Sequence, residues 1–238
     1  MLYWKSILFG VLILIVFYII ITNRCGVESF NTKPRFALLL TTYNENIRTP
    51  MYTDVINWWL NNSNFKIFVI DSYGTGFPHI TNDRVSVFSF DQSKYFNEPH
   101  NIGQYELFAL WKGILHWGNL FNEYDYIIKL TGKYRLPVLV SRLNAIDNNT
   151  YDIILQHAGG HEVKWQNTEC IGFNAKSIKS IIKYLYFEDK TSFDRGLEYK
   201  IYLLSLYSKY SFYKIKEPMK IPIQYKVKRN FGDFLEYL

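Results

Sequence analysis

The chain has 238 residues, of which 48% are hydrophobic and 20% are charged, and its formal net charge at pH 7 is +6. This length and apolar content exclude an intrinsically disordered chain, and about 200 residues suffice for one domain with a substantial core. The positive charge favours partners that carry phosphate or present a membrane surface, but it says nothing about the fold. The chain has 2 cysteines, whose positions indicate neither a disulfide framework nor a cysteine metal site.

The N-terminal segment predicts a membrane anchor. Residues 7–21 carry no charge and are almost wholly apolar, and with the apolar residues before them they approach the ~20 residues that span a bilayer. A cleaved signal peptide is the alternative, but residues 21–25 lack the small side chains of a cleavage site. Basic residues flank the segment on both sides, so its orientation stays open. We therefore expect a single-pass anchor over residues 1–22, in contact with membrane lipid, and a polar stem over residues 23–35.

The first half of the domain predicted over residues 36–238 alternates strands with helices. Apolar runs predict four strands, over residues 36–40, 65–70, 85–90 and 126–130. Apolar side chains at helical spacing predict two helices, over residues 50–60 and 101–117. This alternation is typical of an α/β fold with a mostly parallel central sheet flanked by helices. Open sheets of this kind keep their sites at the carboxyl ends of the strands.

The second half is less regular. Its patterns predict helices over residues 138–146, 175–186 and 193–207 and strands over residues 151–156 and 165–173. A segment over residues 157–162 contains His157 and His161, but its two glycines deny it the helix that a zinc-binding His-Glu-x-x-His motif needs. We interpret this segment as a flexible loop beside a binding site. The tail after residue 212 is aromatic and basic.

Four motifs, in this order along the chain, resemble those of GT-A type nucleotide-sugar glycosyltransferases of the family 2 kind. They are the strand end Thr41-Thr42-Tyr43-Asn44, the strand end Ile70-Asp71-Ser72, the helix start Asn101-Ile102-Gly103-Gln104 and the strand Tyr124-Asp125-Tyr126-Ile127-Ile128-Lys129. Each motif is weak alone, and their order over residues 36–206 carries the resemblance. An anchor, a stem and a catalytic domain in succession are also similar to many membrane-bound glycosyltransferases. The resemblance implies transfer of a sugar from a UDP- or GDP-sugar to a glycan, protein or lipid acceptor.

The chain departs from this family at the end of the central strand. GT-A enzymes usually carry Asp-x-Asp there, which binds a divalent ion on the donor diphosphate, whereas this chain has Lys129-Leu130-Thr131-Gly132-Lys133-Tyr134. This form resembles a subset of GT-A-like sequences with a Lys-x-x-Gly-Arg/Lys-Tyr turn. The resemblance therefore implies no regular metal site here, and it leaves open whether Asp71 recruits Mn²⁺ or Mg²⁺. The ammonium group of Lys133 or Lys129 is expected to offset the diphosphate charge instead.

Residues at the ends of strands and helices are the donor contacts that the resemblance implies. They are Thr41, Tyr43, Asn44, Asp71, Gln104, Lys129, Thr131, Gly132, Lys133 and Tyr134. Asp71 is expected to accept a hydrogen bond from uracil or ribose, Gly132 to let the backbone approach the diphosphate, and Tyr134 to pack at the pocket edge. The alternative interpretation is that these residues only close turns and cap helices, and it applies to Gln104 and Glu106 in particular.

A carboxylate must take the acceptor proton if the transfer inverts the anomeric centre. The resemblance places this group on a late loop or helix start, which makes Glu198 the first candidate, followed by Asp194 and Glu169. Asp194 and Glu198 are four residues apart and would share one helix face. A surface salt bridge is the alternative role for each of the three, and retaining chemistry stays open.

Two further function classes stay open. The missing Asp-x-Asp is compatible with a catalytically inactive, membrane-tethered module that binds a glycan or a nucleotide. A different nucleotide-using α/β enzyme is the other class. The basic tail favours anionic lipid or nucleic acid as partners, but the chain contains no nucleic-acid recognition motif, so nucleic acid is not an expected partner.

Overall fold

The computed structural model describes residues 33–96, 102–146, 151–156, 166–188 and 196–215. The predicted anchor, nearly all of the predicted stem, the loop over residues 157–162, Asp194 and the chain beyond residue 215 lie outside this part. Within it, no helix is both long enough and apolar enough to cross a bilayer. All the described residues belong to one compact unit that starts at Lys33.

Seven strands of the described chain form one sheet. They are β1 Phe36–Thr42, β2 Lys66–Asp71, β3 Val85–Ser89, β4 Tyr126–Thr131, β5 Ile153–Leu155, β6 Cys170–Asn174 and β7 Phe212–Lys214. Their order across the sheet is β3-β2-β1-β4-β6-β5-β7. The strands β3, β2, β1 and β4 are parallel to one another. β6 runs antiparallel to both β4 and β5, and β7 is parallel to β5. The predicted mostly parallel sheet is therefore confirmed, with β6 as its reversed strand.

Helices flank the sheet on both faces. The α-helices of the described residues are α1 Thr49–Asn62, α2 Ile102–Trp117, α3 Leu139–Asn144, α4 Ile178–Lys183 and α5 Leu197–Tyr207. A π-helical turn, Tyr184–Glu188, continues α4. Short 3-10 turns occupy Asn46–Arg48, Gln92–Tyr95 and Leu120–Glu123.

Several predicted elements begin later than the sequence pattern indicated, and two of them show the physical reason. The strand predicted from residue 165 starts at Cys170, because the residues before it bond to side chains and to the end of β4 instead of joining the ladder. The helix predicted from residue 175 starts at Ile178. Here the Asn174 side chain accepts from the N–H of Lys176 at 2.9 Å, and this local turn delays the helix.

The sheet separates two apolar layers. Side chains alternate along a strand, so β1 sends Leu38 and Leu40 into one layer and Ala37 and Leu39 into the other. All four side chains are fully buried, as the uninterrupted apolar run predicted. Side chains of α1 and α3 complete the first layer, and those of α2, α4 and α5 complete the second. This double cover buries β1 along its whole length.

The chain reverses its direction of travel across the sheet at β1. β2 and β3 are added on one side of β1, and β4 is added on the other. In open α/β sheets, ligands bind in the crevice outside the carboxyl ends of the strands at such a reversal. Because β6 is reversed, its first residue Cys170 pairs with Leu130 near the end of β4. The segment before β6 thus reaches the same edge of the sheet.

Candidate active site

The carboxylate of Asp71, at the end of β2, joins the loops at the sheet edge. Its two oxygens accept hydrogen bonds of 2.7 to 3.2 Å from the N–H groups of Asn44, Tyr73, Gly74 and Gly76 and from the hydroxyl of Ser89. Asp71 has no exposed surface. A direct contact with uracil or ribose, as predicted from the sequence, would require these loops to open. In the described conformation Asp71 instead fixes the loops that follow β1 and β2.

The loop after β1 presents an unpaired acceptor and an exposed ring. Asn44 is buried, its Nδ2 donates to the Gly76 carbonyl at 2.6 Å, and its Oδ1 has no partner among the described residues. The Tyr43 ring is 39% exposed and meets the Tyr73 ring edge-on, with 5.0 Å between the centroids. The Arg48 guanidinium carbon lies 5.9 Å from the centroid of the Tyr43 ring. An exposed aromatic face is suited to stacking with a nucleobase.

Gly132, in the turn after β4, allows close contact with β1. A Cβ at this position would lie 2.5 Å from Thr42 Cγ2 and 2.9 Å from the Thr41 carbonyl oxygen. The N–H of Gly132 donates to the same carbonyl at 2.9 Å. The close backbone approach predicted toward the donor is therefore made toward β1.

The next two residues of the turn differ in environment. Tyr134 is 5% exposed and packs in the core with α1, and its carbonyl accepts from Trp59 Nε1 at 3.2 Å. It is therefore a packing residue and not the pocket-edge residue that the sequence predicted. Lys133 is half-buried, with its Nζ 5.1 Å from the centroid of the Tyr134 ring. Lys133 is thus the lysine of this turn that keeps access to solvent.

Lys129, in β4, is a fully buried cation. Its Nζ lies 2.6 Å from Glu106 Oε1, donates to the Thr168 carbonyl at 2.7 Å and lies 3.4 Å from the Thr131 hydroxyl. Glu106, on α2, also accepts from the Thr41 hydroxyl at 3.0 Å. Burying a charge costs several kcal/mol unless it is paired, and this pair supplies the compensation. Because its side chain is 1% exposed, Lys129 does not face a diphosphate in the crevice, and its predicted donor contact is replaced by the contact with Glu106.

Glu198 lies in the first turn of α5, close to the start of α2. A Cβ at Gly103 would lie 2.5 Å from the backbone nitrogen of Leu197, so the two helix starts touch. The Glu198 carbonyl accepts from the N–H of Gln166 at 3.4 Å. Glu198 itself is half-buried. The structure therefore brings the first predicted catalytic residue to the same edge of the sheet as Lys129.

The surroundings of Glu198 shift its pKa upward. Burial raises the pKa of Glu198, the carboxylates of Glu106 and Glu169 raise it further, and the Lys129 ammonium lowers it. A general base works best when its pKa approaches the operating pH. The raised pKa of Glu198 moves this carboxylate in that direction.

Glu169, the third predicted carboxylate, lies in the segment before β6. Together with Glu106 and Glu198 it forms a carboxylate cluster. Its carbonyl accepts from the N–H of Thr131 at 2.9 Å, and its Oε2 accepts from Gln156 Nε2 at 3.0 Å. Gln156 is 3% exposed, and its Oε1 has no partner within the described part of the chain. Flipping the Gln156 amide would place its Oε1 against Glu169 Oε2, which is unfavourable. Glu169 therefore fixes the orientation of this amide, with Oε1 pointing away from the carboxylate.

The described residues do not fit a resident divalent ion. No three His, Cys, Asp or Glu side chains in residues 33–96, 102–146, 151–156, 166–188 and 196–215 are grouped to hold a metal. At the end of β4, where Asp-x-Asp is expected, the chain offers an ammonium and a hydroxyl, which are not the ligands that Mg²⁺ or Mn²⁺ prefers.

Two predicted site residues are left to place. Gln104 is half-buried in the first turn of α2, and Asp194 lies outside the described residues.

A cleft of about 380 Å³ lies between the turn after α4 and the end of α5. Tyr184, Leu203, Tyr207 and Tyr210 are among the residues that line it. None of the predicted site residues belongs to this lining, so the cleft and the carboxylate cluster are separate features.

Two site residues have partners that the sequence did not identify. The sequence alone favours end-capping for Glu106 and a place in a strand for Gln156. The signal for Glu106 was Lys129 itself, because a lysine inside an apolar strand requires a buried acceptor. The chain has 21 acidic residues, and spacing alone does not indicate which of them pairs with this lysine.

Comparisons with known proteins find the fold but no sequence family. No family model and no curated protein matches the chain. A glycosyltransferase involved in glycosylation of the major capsid of PBCV-1 aligns with a TM-score of 0.50 at 10% identity, over 76% of this chain and 81% of that one. The galactosyltransferase LgtC, solved with donor and acceptor sugar analogs, gives 0.47 at 11% identity over 75% and 72% of the two chains.

The glycosyltransferase GlyE of Streptococcus pneumoniae TIGR4 gives a TM-score of 0.49 at 11% identity, over 78% of this chain and 46% of that one. At such identities the likeness concerns the fold alone. The predicted α/β fold, with its mostly parallel sheet, is thus one that a solved glycosyltransferase shares.

Proposed function

We propose that this domain is a glycosyltransferase that moves a sugar from a nucleotide-sugar donor to an acceptor hydroxyl. The observation that carries the proposal is the half-buried carboxylate of Glu198, which lies with Glu106 and Glu169 at the sheet edge where ligands of such folds bind. The fold shared with the capsid glycosyltransferase supports the same class of reaction. Glycan, protein and lipid acceptors all carry hydroxyl groups of the required kind.

The donor nucleotide is proposed to bind at the loops after β1 and β2. The exposed face of Tyr43 supplies a stacking surface, and the unpaired Oδ1 of Asn44, which is buried in the described conformation, accepts from a ring N–H of the base once the loops open. Uracil and guanine both carry such a group, so the proposal favours a UDP- or GDP-sugar. Lys133, at the turn after β4, is the cation that offsets the diphosphate charge.

In the inverting form of the reaction, Glu198 takes the proton of the acceptor hydroxyl. The hydroxyl oxygen then forms a bond to the anomeric carbon, while the bond from this carbon to the phosphate oxygen breaks and its electron pair leaves with the diphosphate. Glu169, held by Gln156, is the second carboxylate beside the acceptor. When the bond between the anomeric carbon and the phosphate oxygen breaks, negative charge builds up on the diphosphate, and Lys133 offsets this charge.

The test is a screen of UDP-, GDP- and CMP-sugars with the intact chain, read as donor hydrolysis and as a thermal shift, with and without Mn²⁺. We expect a shift and slow hydrolysis with a UDP- or GDP-sugar that Mn²⁺ changes little. Glu198→Gln should keep the thermal shift and lose turnover, since it removes the base and keeps the shape. A shift without turnover of any donor in the wild type would instead support the inactive binding module.

Lys133→Ala tests the cation of the turn. Loss of one group that stabilises charge in the transition state typically costs ~3 kcal/mol, or about a hundredfold in rate. Lys176→Ala is a matched control, because this lysine is exposed and follows β6, whose last residue Asn174 pairs with Tyr126 at the opposite end of β4. Full donor affinity and full activity in Lys133→Ala would show that the turn is structural.

We also propose that residues 1–22 anchor the chain in a membrane as a single span and that residues 23–35 form a stem before the domain over residues 36–238. The support is the uncharged apolar composition of residues 7–21. The intact chain should stay with membranes after a carbonate wash, and release into the supernatant would contradict the proposal.

A further inference from the structure

The pair Lys129–Glu106 connects four chain segments at one point of the fold. Lys129 belongs to β4, Glu106 belongs to α2, and the Thr168 carbonyl, which Lys129 also binds at 2.7 Å, precedes β6. The Thr41 hydroxyl at the end of β1 donates to the same Glu106 oxygen at 3.0 Å. Contacts of 2.6 to 3.0 Å therefore fix four chain segments around one internal ammonium.

This point lies next to the first turn of α5, which carries Glu198. The start of α2 touches the start of α5 at Gly103, and Glu106 is one helical turn further along α2. The segment that Lys129 holds through Thr168 also reaches α5, because the N–H of Gln166 donates to the Glu198 carbonyl. The two segments that Lys129 binds, α2 and the segment before β6, thus both reach the first turn of α5.

We propose that the buried Lys129–Glu106 pair is a positioning device, which fixes Glu198 at the sheet edge and sets its charge without touching either substrate. The inference rests on the proposed function only in the role given to Glu198. The groups that face Glu198 are Glu106 from α2, Lys129 from β4 and Glu169 from the segment before β6. Lys200, on α5 itself, donates to the Leu185 carbonyl at 2.9 Å.

The two members of the pair act on Glu198 in opposite directions. The ammonium of Lys129 favours the charged form of Glu198, and the carboxylate of Glu106 opposes it. Removal of Lys129 should therefore raise the pKa of Glu198, and neutralisation of Glu106 should lower it. A pair that only holds the fold together would move both titrations little or in the same direction.

The decisive experiment titrates Glu198 in the intact chain. Carbon-13 labelling of the glutamate carboxyl groups gives a resonance for each one, and Glu198→Gln identifies the signal of interest. The variants are Lys129→Met, Glu106→Gln and the double variant. We expect the titration of Glu198 to move upward in pH in the first, downward in the second and back toward the wild type in the third. Unmoved or parallel titrations would overturn the proposal.

Thermal unfolding of the same variants shows whether each of them still folds. Breaking a buried pair by removing one partner leaves an uncompensated charge, so each single variant should unfold on the order of 10 °C lower. The double variant should recover much of this loss. If both single variants fail to fold, the double variant keeps the proposal testable: its charges balance but the contacts that fix Glu198 are gone, so a wild-type kcat in a folded double variant would refute a positioning role.

Lys200→Met is the matched control. Like Lys129→Met, it removes one buried ammonium and one positive charge. The ammonium of Lys200, however, binds the Leu185 carbonyl, whereas that of Lys129 binds Glu106 and the Thr168 carbonyl. Lys200→Met should lower the unfolding temperature and leave the titration of Glu198 in place. A wild-type chain that turns over no donor, with titrations that move in opposite directions, would refute the proposed function and keep this inference. Sugar transfer with unmoved titrations would do the reverse.

Discussion

Replacing Asp71 by asparagine tests whether this carboxylate stabilises the fold or contacts a ligand. The two oxygens of Asp71 accept hydrogen bonds from four backbone N–H groups and one hydroxyl. Whichever oxygen becomes the amide nitrogen, at least two backbone donors lose their acceptor. A hydrogen bond to a charged group contributes about 1.5–3 kcal/mol. The free energy of unfolding should therefore fall by about 3 kcal/mol or more.

Urea denaturation followed by tryptophan fluorescence measures this loss. In a domain of about 200 residues, a loss of ~3 kcal/mol also lowers the unfolding temperature by roughly 6–12 °C. Asp83→Asn is the matched control, because Asp83 is exposed and the same change there should leave stability unaltered. The reasoning fails if Asp71→Asn is as stable as the control but binds nucleotide less tightly. That result would restore the contact with uracil or ribose that the sequence predicts.

Three further predictions concern single residues. Because folding raises the pKa of Glu198, the stability that this group contributes is present below the usual glutamate pKa and is lost as the pH rises through the folded value. Glu198→Gln should therefore increase the urea midpoint at pH 7, and this gain should vanish in acid. Gly132→Ala should lower the free energy of unfolding by about 1–3 kcal/mol, measured by denaturation, because its Cβ would meet Thr42 Cγ2 at 2.5 Å. Burial raises the pKa of Cys170 to about 12, so in a Cys25→Ser chain a thiol reagent should react only after unfolding, and rapid reaction of the native protein would contradict this burial.

The layered fold could be predicted from the sequence because its strands are marked by composition. The run Phe36–Leu40 is apolar at every position, and only a strand covered on both faces accommodates such a run. The direction of β6 was not predictable in the same way. Apolar strands of either direction have the same composition, and the position of Cys170 beside Leu130 is decided by contacts across the sheet.

The candidate site was only partly predictable for a related reason. The sequence identified Glu198 and Glu169 as candidate carboxylates, and the structure brings both to the sheet edge together with Lys129. The sequence did not reveal that Asp71 is occupied by the protein's own donors, since these come from loops up to 27 residues away. It also assigned Lys129 to a ligand, because the composition of a strand does not show that Glu106 of α2 meets this side chain.

The central place of β1 in the sheet has a consequence for synthesis on the ribosome. β1 is the first strand of the described chain, and its two neighbours are β2 and β4. Residues 126–131 emerge long after residues 36–42, so one edge of a largely apolar strand stays open while nearly half of the domain is made. An open apolar edge is a template for pairing with another chain. Premature termination before Tyr126 should therefore yield an aggregating fragment, whereas termination after the reversed strand β6 should yield one with both edges of β1 paired.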